Sequence, residues 1–466
     1  MKLRIGLVIV LAQLGQLALL QAQQTDREHW VATWVTAQNI VRNPPPAARP
    51  PAPATASATP SATPAATTPA ATTPAATTPA AATPAAATAP AATAAPAATA
   101  PAAPPRPMGM RGFNNQTIRM TVRTSIGGRR IRIRIANAYG SAPVTVGAAH
   151  VALRAKESEI VPGSDRALAF DGKPGCTLDQ GMAMLSDPLD FNLPPLSDLA
   201  ISLYFPGETG PPTSHGAALH TTYISKEGDS SGAAAITDAA TTESYYWLAG
   251  VDVLAPPDAA LIIALGDSIT DGIRSTNESN HTWPALLAAR LAARKETANL
   301  AVGNMGISGN RVLTLSAGPS AVARFDRDVL SQSGVKWVML MDGINDIGTG
   351  RPTEPVTLQQ LTGAYKQIIE QAHTHGIQVI GCTLTPFLGA PYKREEGEPL
   401  RVAVNTWIRT SGAFDAVVDF EAAIRDPNDA TRVRAEFDPG DHLHPNDKGY
   451  QAMADAVDLS IFTGKR

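Results

Sequence analysis

The 466-residue chain carries 38 Lys and Arg against 41 Asp and Glu, a formal net charge of -3, and has a pI near 6.3. No global basic field is available to attract nucleic acid, and the length leaves room for two domains plus accessory segments. Two cysteines build no disulfide framework. Cys382, in the apolar run Val379–Leu384, reads as a small core residue. Cys176 lies in a Gly/Pro-flanked loop, and a bridge between the two is the lesser alternative.

At the N-terminus, Lys2 and Arg4 precede an apolar run, Ile5–Leu20, broken by Gln13 and Gln16 and followed by Gln21-Ala22. Basic, apolar and small-residue regions in that order predict a signal peptide over 1–22. The rival reading, an uncleaved anchor, is opposed by the two glutamines and the modest length. No later segment has the length or apolarity of a membrane span. The expected location is therefore secreted or periplasmic, without membrane association after cleavage.

Residues 28–40 contain the alternating stretch His29–Val35, which reads as the first strand of a β-domain. Residues 44–105 are almost entirely Pro, Ala and Thr. They offer no large apolar surface to bury, which predicts a disordered low-complexity insertion within that domain. Over 106–254 the pattern is strict alternation. Arg129–Ile135 puts isoleucines on one face and arginines on the other, a half-buried antiparallel strand. Similar runs follow at Val144–Val146, His150–Leu153, Leu199–Phe205 and Tyr245–Val253, with no amphipathic helix between them. The prediction is an all-β sandwich of about 140 residues. Its arginine face reads as solvated, with an acidic polysaccharide as the alternative ligand.

From 255 to 466 the pattern becomes α/β. Apolar strands are expected at Leu261–Leu265, Leu300–Val302, Val335–Met341, Ile377–Leu384 and Ala416–Phe420. Helices are expected at Trp283–Arg294, Leu358–His375, Leu400–Thr410 and Asp447–Val457. Continuous apolar strands alternating with helices predict a flavodoxin-like, doubly wound parallel sheet of five strands. In such a sheet the loops leaving the carboxyl ends of the strands share one edge, where ligands bind.

Four loops at that edge carry chemistry. Gly266-Asp-Ser268 ends the first strand, Gly303–Asn310 follows the second, Gly343-Ile-Asn-Asp346 the third, and Asp441-His-Leu-His-Pro445 precedes the last helix. A serine hydroxyl is a weak nucleophile until a base takes its proton. His444 supplies a base, and Asp441 is placed to hold its imidazole in one tautomer. The backbone N–H of Ser268, a glycine N–H from the second loop and the Asn345 amide supply donors for an oxyanion.

Taken in order, the four blocks resemble those of the SGNH/GDSL hydrolase superfamily over about residues 255 to 460. The strings GDSITDG, GISGNR and GINDIG are similar to a secreted bacterial subgroup of acylhydrolases and arylesterases associated with plant cell-wall degradation. The resemblance implies an SGNH-type fold with Ser268, Asp441 and His444 as triad and Ser268, Gly309 and Asn345 as oxyanion hole. It implies neither cofactor nor metal.

Each residue also has a plainer reading. Ser268 alone is a helix N-cap, and Asn345 a turn residue bonding its own backbone. Asp441, His442 and His444 have the look of zinc ligands. His442 either lines the pocket or does nothing. Asp267 and Asp346 brace loops, Trp283 and Trp337 pack in the core, and His373 and His375 are solvated. The function expected is a serine esterase, with an acetylated plant cell-wall polysaccharide or another small acyl ester as substrate. The alternatives are a broad arylesterase or lipase-like acylhydrolase, a metal-dependent hydrolase and a non-catalytic glycan-binding protein. Nothing in the sequence speaks to oligomeric state.

Overall fold

The chain is represented by a computed structural model that describes residues 28–40, 112–349, 355–392 and 397–463. The expected signal peptide (1–22) and Pro/Ala/Thr segment (44–105) lie outside these residues.

The β-domain is built mainly from eight antiparallel strands: β1 (Trp30–Val35), β2 (Gln116–Arg123), β3 (Gly128–Ala136), β4 (Ala148–Lys156), β5 (Leu189–Leu193), β6 (Asp198–Phe205), β7 (Thr222–Glu227) and β8 (Leu248–Leu254). One sheet runs β1-β8-β3-β5, and the other has β7-β2-β6-β4 at its centre. The apolar faces of both join one core, with Ile131, Ile133 and Ile135 of β3 sharing it with Ile118, Met120 and Val122 of β2. The upstream strand β1 pairs with β8, Trp30 lying opposite Leu254. Strand β2 alternates polar and apolar residues, but both faces are buried, Thr117, Arg119 and Thr121 lying on the face opposite Ile118, Met120 and Val122. That guanidinium donates to Ser202 Oγ and to the carbonyls of Ser158, Ser231 and Ala233, so its burial is satisfied rather than penalised. Both cysteines are free: Cys176 pairs in a two-stranded ribbon and Cys382 is buried in a strand.

The arginine face of β3 is solvated only at its start, where Arg129 is exposed and Arg130 half-buried; its far end is covered, contrary to the sequence expectation. It forms part of the junction with the α/β half. Arg132 and Arg134 flank the fully buried carboxylate of Asp252 in β8. Arg132 also reaches Ser333 and Arg134 reaches Gln332. The alternation was read correctly; the face it creates has a protein partner. A second group of contacts crosses elsewhere, where Glu278 accepts from Arg154, His220 and the Thr221 N–H.

In the α/β half, five parallel strands follow: β9 (Ala260–Gly266), β10 (Leu300–Gly306), β11 (Val335–Met341), β12 (Gln378–Cys382) and β13 (Ala416–Val418), in the order β10-β9-β11-β12-β13. This is the order of a doubly wound sheet whose direction of winding reverses beside β9. Two expected strands are shorter: β12 stops at Cys382, and β13 at Val418. Asp419 then caps the short helix Phe420–Ile424, so Phe420 faces the core from a helix. Strand β10 is longer than expected and pairs with β9 as far as Gly306. Gly303 looked like a turn residue, but it makes room for Val35 of β1, whose methyl would lie 2.5 Å from an added Cβ. Ser125 of the β-domain completes this edge, donating to the Val302 carbonyl at 2.8 Å and accepting from its N–H at 3.2 Å.

Two outcomes follow from the junction. Asp252→Ala leaves Arg132 and Arg134 without their buried counter-charge and should cost about 3 kcal/mol, read as a lower urea midpoint at unchanged m-value. Burial opposes ionisation of Glu278, but hydrogen bonds from His220, Thr221 and Arg154 outweigh it and hold the carboxyl well below its usual range. Its contribution is therefore complete above the unfolded-state value of about 4.3 and is lost as pH falls below it. Urea midpoints should fall steeply below about pH 4, and less steeply in Glu278→Gln.

Candidate active site

The site is built at the carboxyl edge of the parallel sheet. Strand β9 ends at Gly266, where a Cβ would collide with Thr270 Oγ1 and the Met341 carbonyl, so the turn admits no side chain there. Ser268 opens the single-turn helix α1 (Ser268–Asp271), with Asp267 as N-cap accepting from the Ile269 N–H. Ser268 is thus the first helical residue rather than the cap. Its own N–H belongs to the helix's unsatisfied first turn, and its side chain is buried with its hydroxyl turned to the fourth loop.

His444 Nε2 lies 2.9 Å from Ser268 Oγ, and its Nδ1 lies 3.0 Å from Asp441 Oδ2. Asp441 also accepts from the backbone N–H groups of Leu443 and His444 and from Arg274 Nε. Burial opposes its ionisation, but the His444 backbone and ring and Arg274 outweigh that and hold the carboxyl well below the usual carboxylate range. An ionised carboxylate only accepts. The proton of neutral His444 therefore sits on Nδ1, and Nε2 is free to accept from the Ser268 hydroxyl. The arrangement is equipped to take a proton from that oxygen.

Asn345 lies in the helix Ile344–Thr349 after β11. Its Nδ2 donates to the Asn310 carbonyl at 2.9 Å, and its Oδ1 accepts from the Tyr392 hydroxyl at 2.6 Å. Burial raises Tyr392 far above the usual phenol range, so it remains a neutral donor. That contact fixes which end of the amide is oxygen and leaves the second Nδ2 hydrogen for a ligand. Gly309 has φ +76 and open space around it. It is the third residue of the turn closed by Asn310 N–H to Ile307 C=O, the position where a type II turn requires positive φ. The structure thus brings Ser268, Asp441 and His444 into direct contact, and couples the Gly309 turn to Asn345 through Asn310.

Asp346 accepts from the N–H groups of Val312 and Leu313 and braces the second loop. Asp267 is raised by burial and by the charges of Asp346 and Asp271, against the pull of the Ile269 N–H. His442 takes a left-handed backbone (φ 59) and turns Nδ1 to Asp438 at 2.6 Å. It therefore does not join Asp441 and His444 around a common point, and no group of three metal-ligating side chains gathers among the described residues. Trp283 is fully buried, Trp337 bonds Gln378, and His373 pairs with Asp415 near the surface.

Three residues that shape the site went unread in the sequence. Tyr392 comes from an irregular Gly/Pro segment with no period. Asn304 sits inside β10, donating to the carbonyls of Thr270 and Asp271. Arg324 follows the second loop and is fully buried. It donates to the carbonyls of Gly266 and Met305, to Asn310 Oδ1 and to Asp328. An arginine between Ala323 and Phe325 gives no sign that its partners are strand ends.

Residues 264–452, less than half of the chain, match the GDSL-like lipase/acylhydrolase family. That stretch is a GDSL-like hydrolase domain. No curated protein matches the chain. Among solved structures, the chain is similar to a lipolytic protein of the G-D-S-L family from Desulfitobacterium hafniense, at 22% identity over 42% of this chain and 97% of that one, with a TM-score of 0.33. It is similar to an acetyl xylan esterase from Geobacillus stearothermophilus at 21% identity, over 44% and 96% of the two chains, with a TM-score of 0.34. A carbohydrate acetylesterase from Sinorhizobium meliloti gives 15% identity, 42% and 95% coverage, and a TM-score of 0.34. The GDSL-like domain makes the protein an ester hydrolase.

On the oxyanion role expected from the sequence, Asn345→Ala should lower kcat for an aryl acetate by about 10² to 10³-fold with little change in KM, as loss of one such donor does. Tyr392→Phe should show a smaller loss of the same kind, because the amide is kept but freed to turn. A KM-dominated effect in steady-state kinetics would place Asn345 in ground-state binding instead.

Proposed function

We propose that the protein is an exported serine esterase that removes small acyl groups, acetyl foremost, from cell-wall polysaccharide through an acyl-enzyme on Ser268. The observation that carries this is the continuous chain from Ser268 Oγ through His444 to Asp441, at 2.9 and 3.0 Å. Ser268 Oγ attacks the ester carbonyl carbon as His444 Nε2 takes its proton. The oxyanion forms facing the N–H groups of Ser268 and Gly309 and the free Nδ2 hydrogen of Asn345. Collapse expels the alcohol, which receives the proton from His444. Water then attacks the acyl-enzyme with His444 again as base, and collapse breaks the bond to Ser268 Oγ, which takes the proton back from His444 as the acid leaves. Asp441 remains ionised and stabilises the imidazolium in both halves.

The acyl group is short in this reading because Ser268 is only 5% exposed, which leaves little room for a long chain beside the hydroxyl. A polysaccharide alcohol is supported by the N-terminal segment 1–22, patterned as a secretory signal, and by a β-domain joined to the catalytic half.

Ser268→Ala should reduce turnover of aryl acetates by about 10⁴ to 10⁶-fold, and a serine-directed phosphonate should label the wild type but not the variant. Retention of a tenth of the rate would remove Ser268 from the chemistry. A panel of acetylated xylan, mannan, pectin and peptidoglycan set against simple aryl esters tests the substrate. Turnover confined to aryl esters would favour a broad arylesterase.

A further inference from the structure

Asp271 closes the helix that carries Ser268 and lies outside the chain of groups described above. Its Oδ2 accepts from both the N–H of Ser308 at 2.9 Å and the Ser308 hydroxyl at 2.6 Å. Ser308 immediately precedes Gly309. The two bonds anchor residue 308, and the bond from Asn310 N–H to Ile307 C=O anchors the turn from the other side. Between these anchors lies the peptide that bears the Gly309 N–H. The second oxygen, Oδ1, accepts from His215 Nε2 at 3.0 Å, with both side chains at most 5% exposed.

His215 belongs to the other domain. It sits in the two-residue strand Ser214–His215, paired with Tyr245–Tyr246, and its ring stacks on Tyr245 at 6.2 Å. The bridge between Asn39 and Ser214 ties that strand to the N-terminal segment. A buried carboxylate that accepts from three donors is held in one rotamer, and loss of one donor leaves charge uncompensated. Deprived of His215, Asp271 has reason to turn away from Ser308 toward any other donor.

We propose that His215 of the β-domain is a positioning residue for ester hydrolysis: through Asp271 it holds Ser308, and with it the aim of the Gly309 N–H. The β-domain then completes the oxyanion site of the neighbouring domain. The assignment rests on the esterase reading of Ser268.

The test uses the full chain and 4-nitrophenyl acetate, with circular dichroism melts alongside steady-state kinetics. His215→Ala should lower kcat by about 10 to 100-fold, the scale of a small misplacement, with KM changed less than about threefold. His215→Gln places an amide N–H near the position of Nε2 and should recover most of the lost kcat. Ser308→Ala removes only the hydroxyl bond, leaves the junction intact, and should lower kcat several-fold. It decides the matter if His215→Ala does not fold. Unchanged kcat in a folded His215→Ala or in Ser308→Ala, a loss confined to KM, or no recovery with Gln overturns the proposal. Full activity of Ser268→Ala would overturn the esterase reading itself. An inactive Ser268→Ala beside a fully active His215→Ala overturns only the link between the domains.

Discussion

One buried guanidinium holds the catalytic edge together. Arg324 spreads its donors over the end of β9, the end of β10 and the Asn310 side chain, while Asp328 balances its charge. Carbonyls at the ends of parallel strands have no ladder partner and need one when buried. Arg324 joins the Met305 carbonyl to the Gly266 carbonyl, which also accepts from the Ile307 N–H, and so sets the spacing between the Ser268 turn and the Gly309 turn. A lysine could not substitute, because only a planar fork reaches several acceptors in fixed directions. In the proposed reaction the oxyanion donors are useful only to the extent that this spacing is kept, since their value depends on being aimed before charge develops.

The same logic extends across the domain junction. The parallel sheet would expose β10 as a free edge, a surface prone to mispairing. The β-domain covers it, with Ser125 supplying both partners to Val302 and Val35 filling the hollow beside Gly303. Asp252 and the paired arginines of β3 add a charged contact, and Glu278 gathers three donors from the β-domain. A junction of this kind is a continuation of the core, with little freedom for the two halves to move independently. The edge that brings Ser268, His444 and Asp441 together is therefore supported on one side by a domain that contributes none of the three.

Much of this was legible in the sequence because period reports burial. The isoleucines of β3, the continuous apolar runs of β9 and β11, and the helical spacing of Leu358–Thr374 all declared their elements. The four loops declared themselves by residue type, and the structure places their side chains at one edge. What stayed hidden was polar and long-range. Arg119 stands at a polar position of β2, and its burial left no mark on the alternation. Phe420 seemed to extend β13 until Asp419 capped a helix. The arginines of β3 looked solvated because a sequence does not show which face meets a second domain. Tyr392, Arg324 and His215 act on partners far along the chain, and no spacing rule connects them.

The position of β1 has a consequence for how the molecule is made. Trp30 waits for Leu254, and the Ala32 N–H for the carbonyl of Ser333, so the first strand to be synthesised is among the last to find its place. Long-range pairing of this kind is slow, because chain closure must come before the contacts that reward it. Until Leu254 has been made, the β-domain lacks its border strand, and β10, made later still, meets a cover that is already in place. The oldest part of the chain can thus close the β-domain as soon as Leu254 is made, whereas its bond to Ser333 can form only after the third parallel strand's approach has been synthesised.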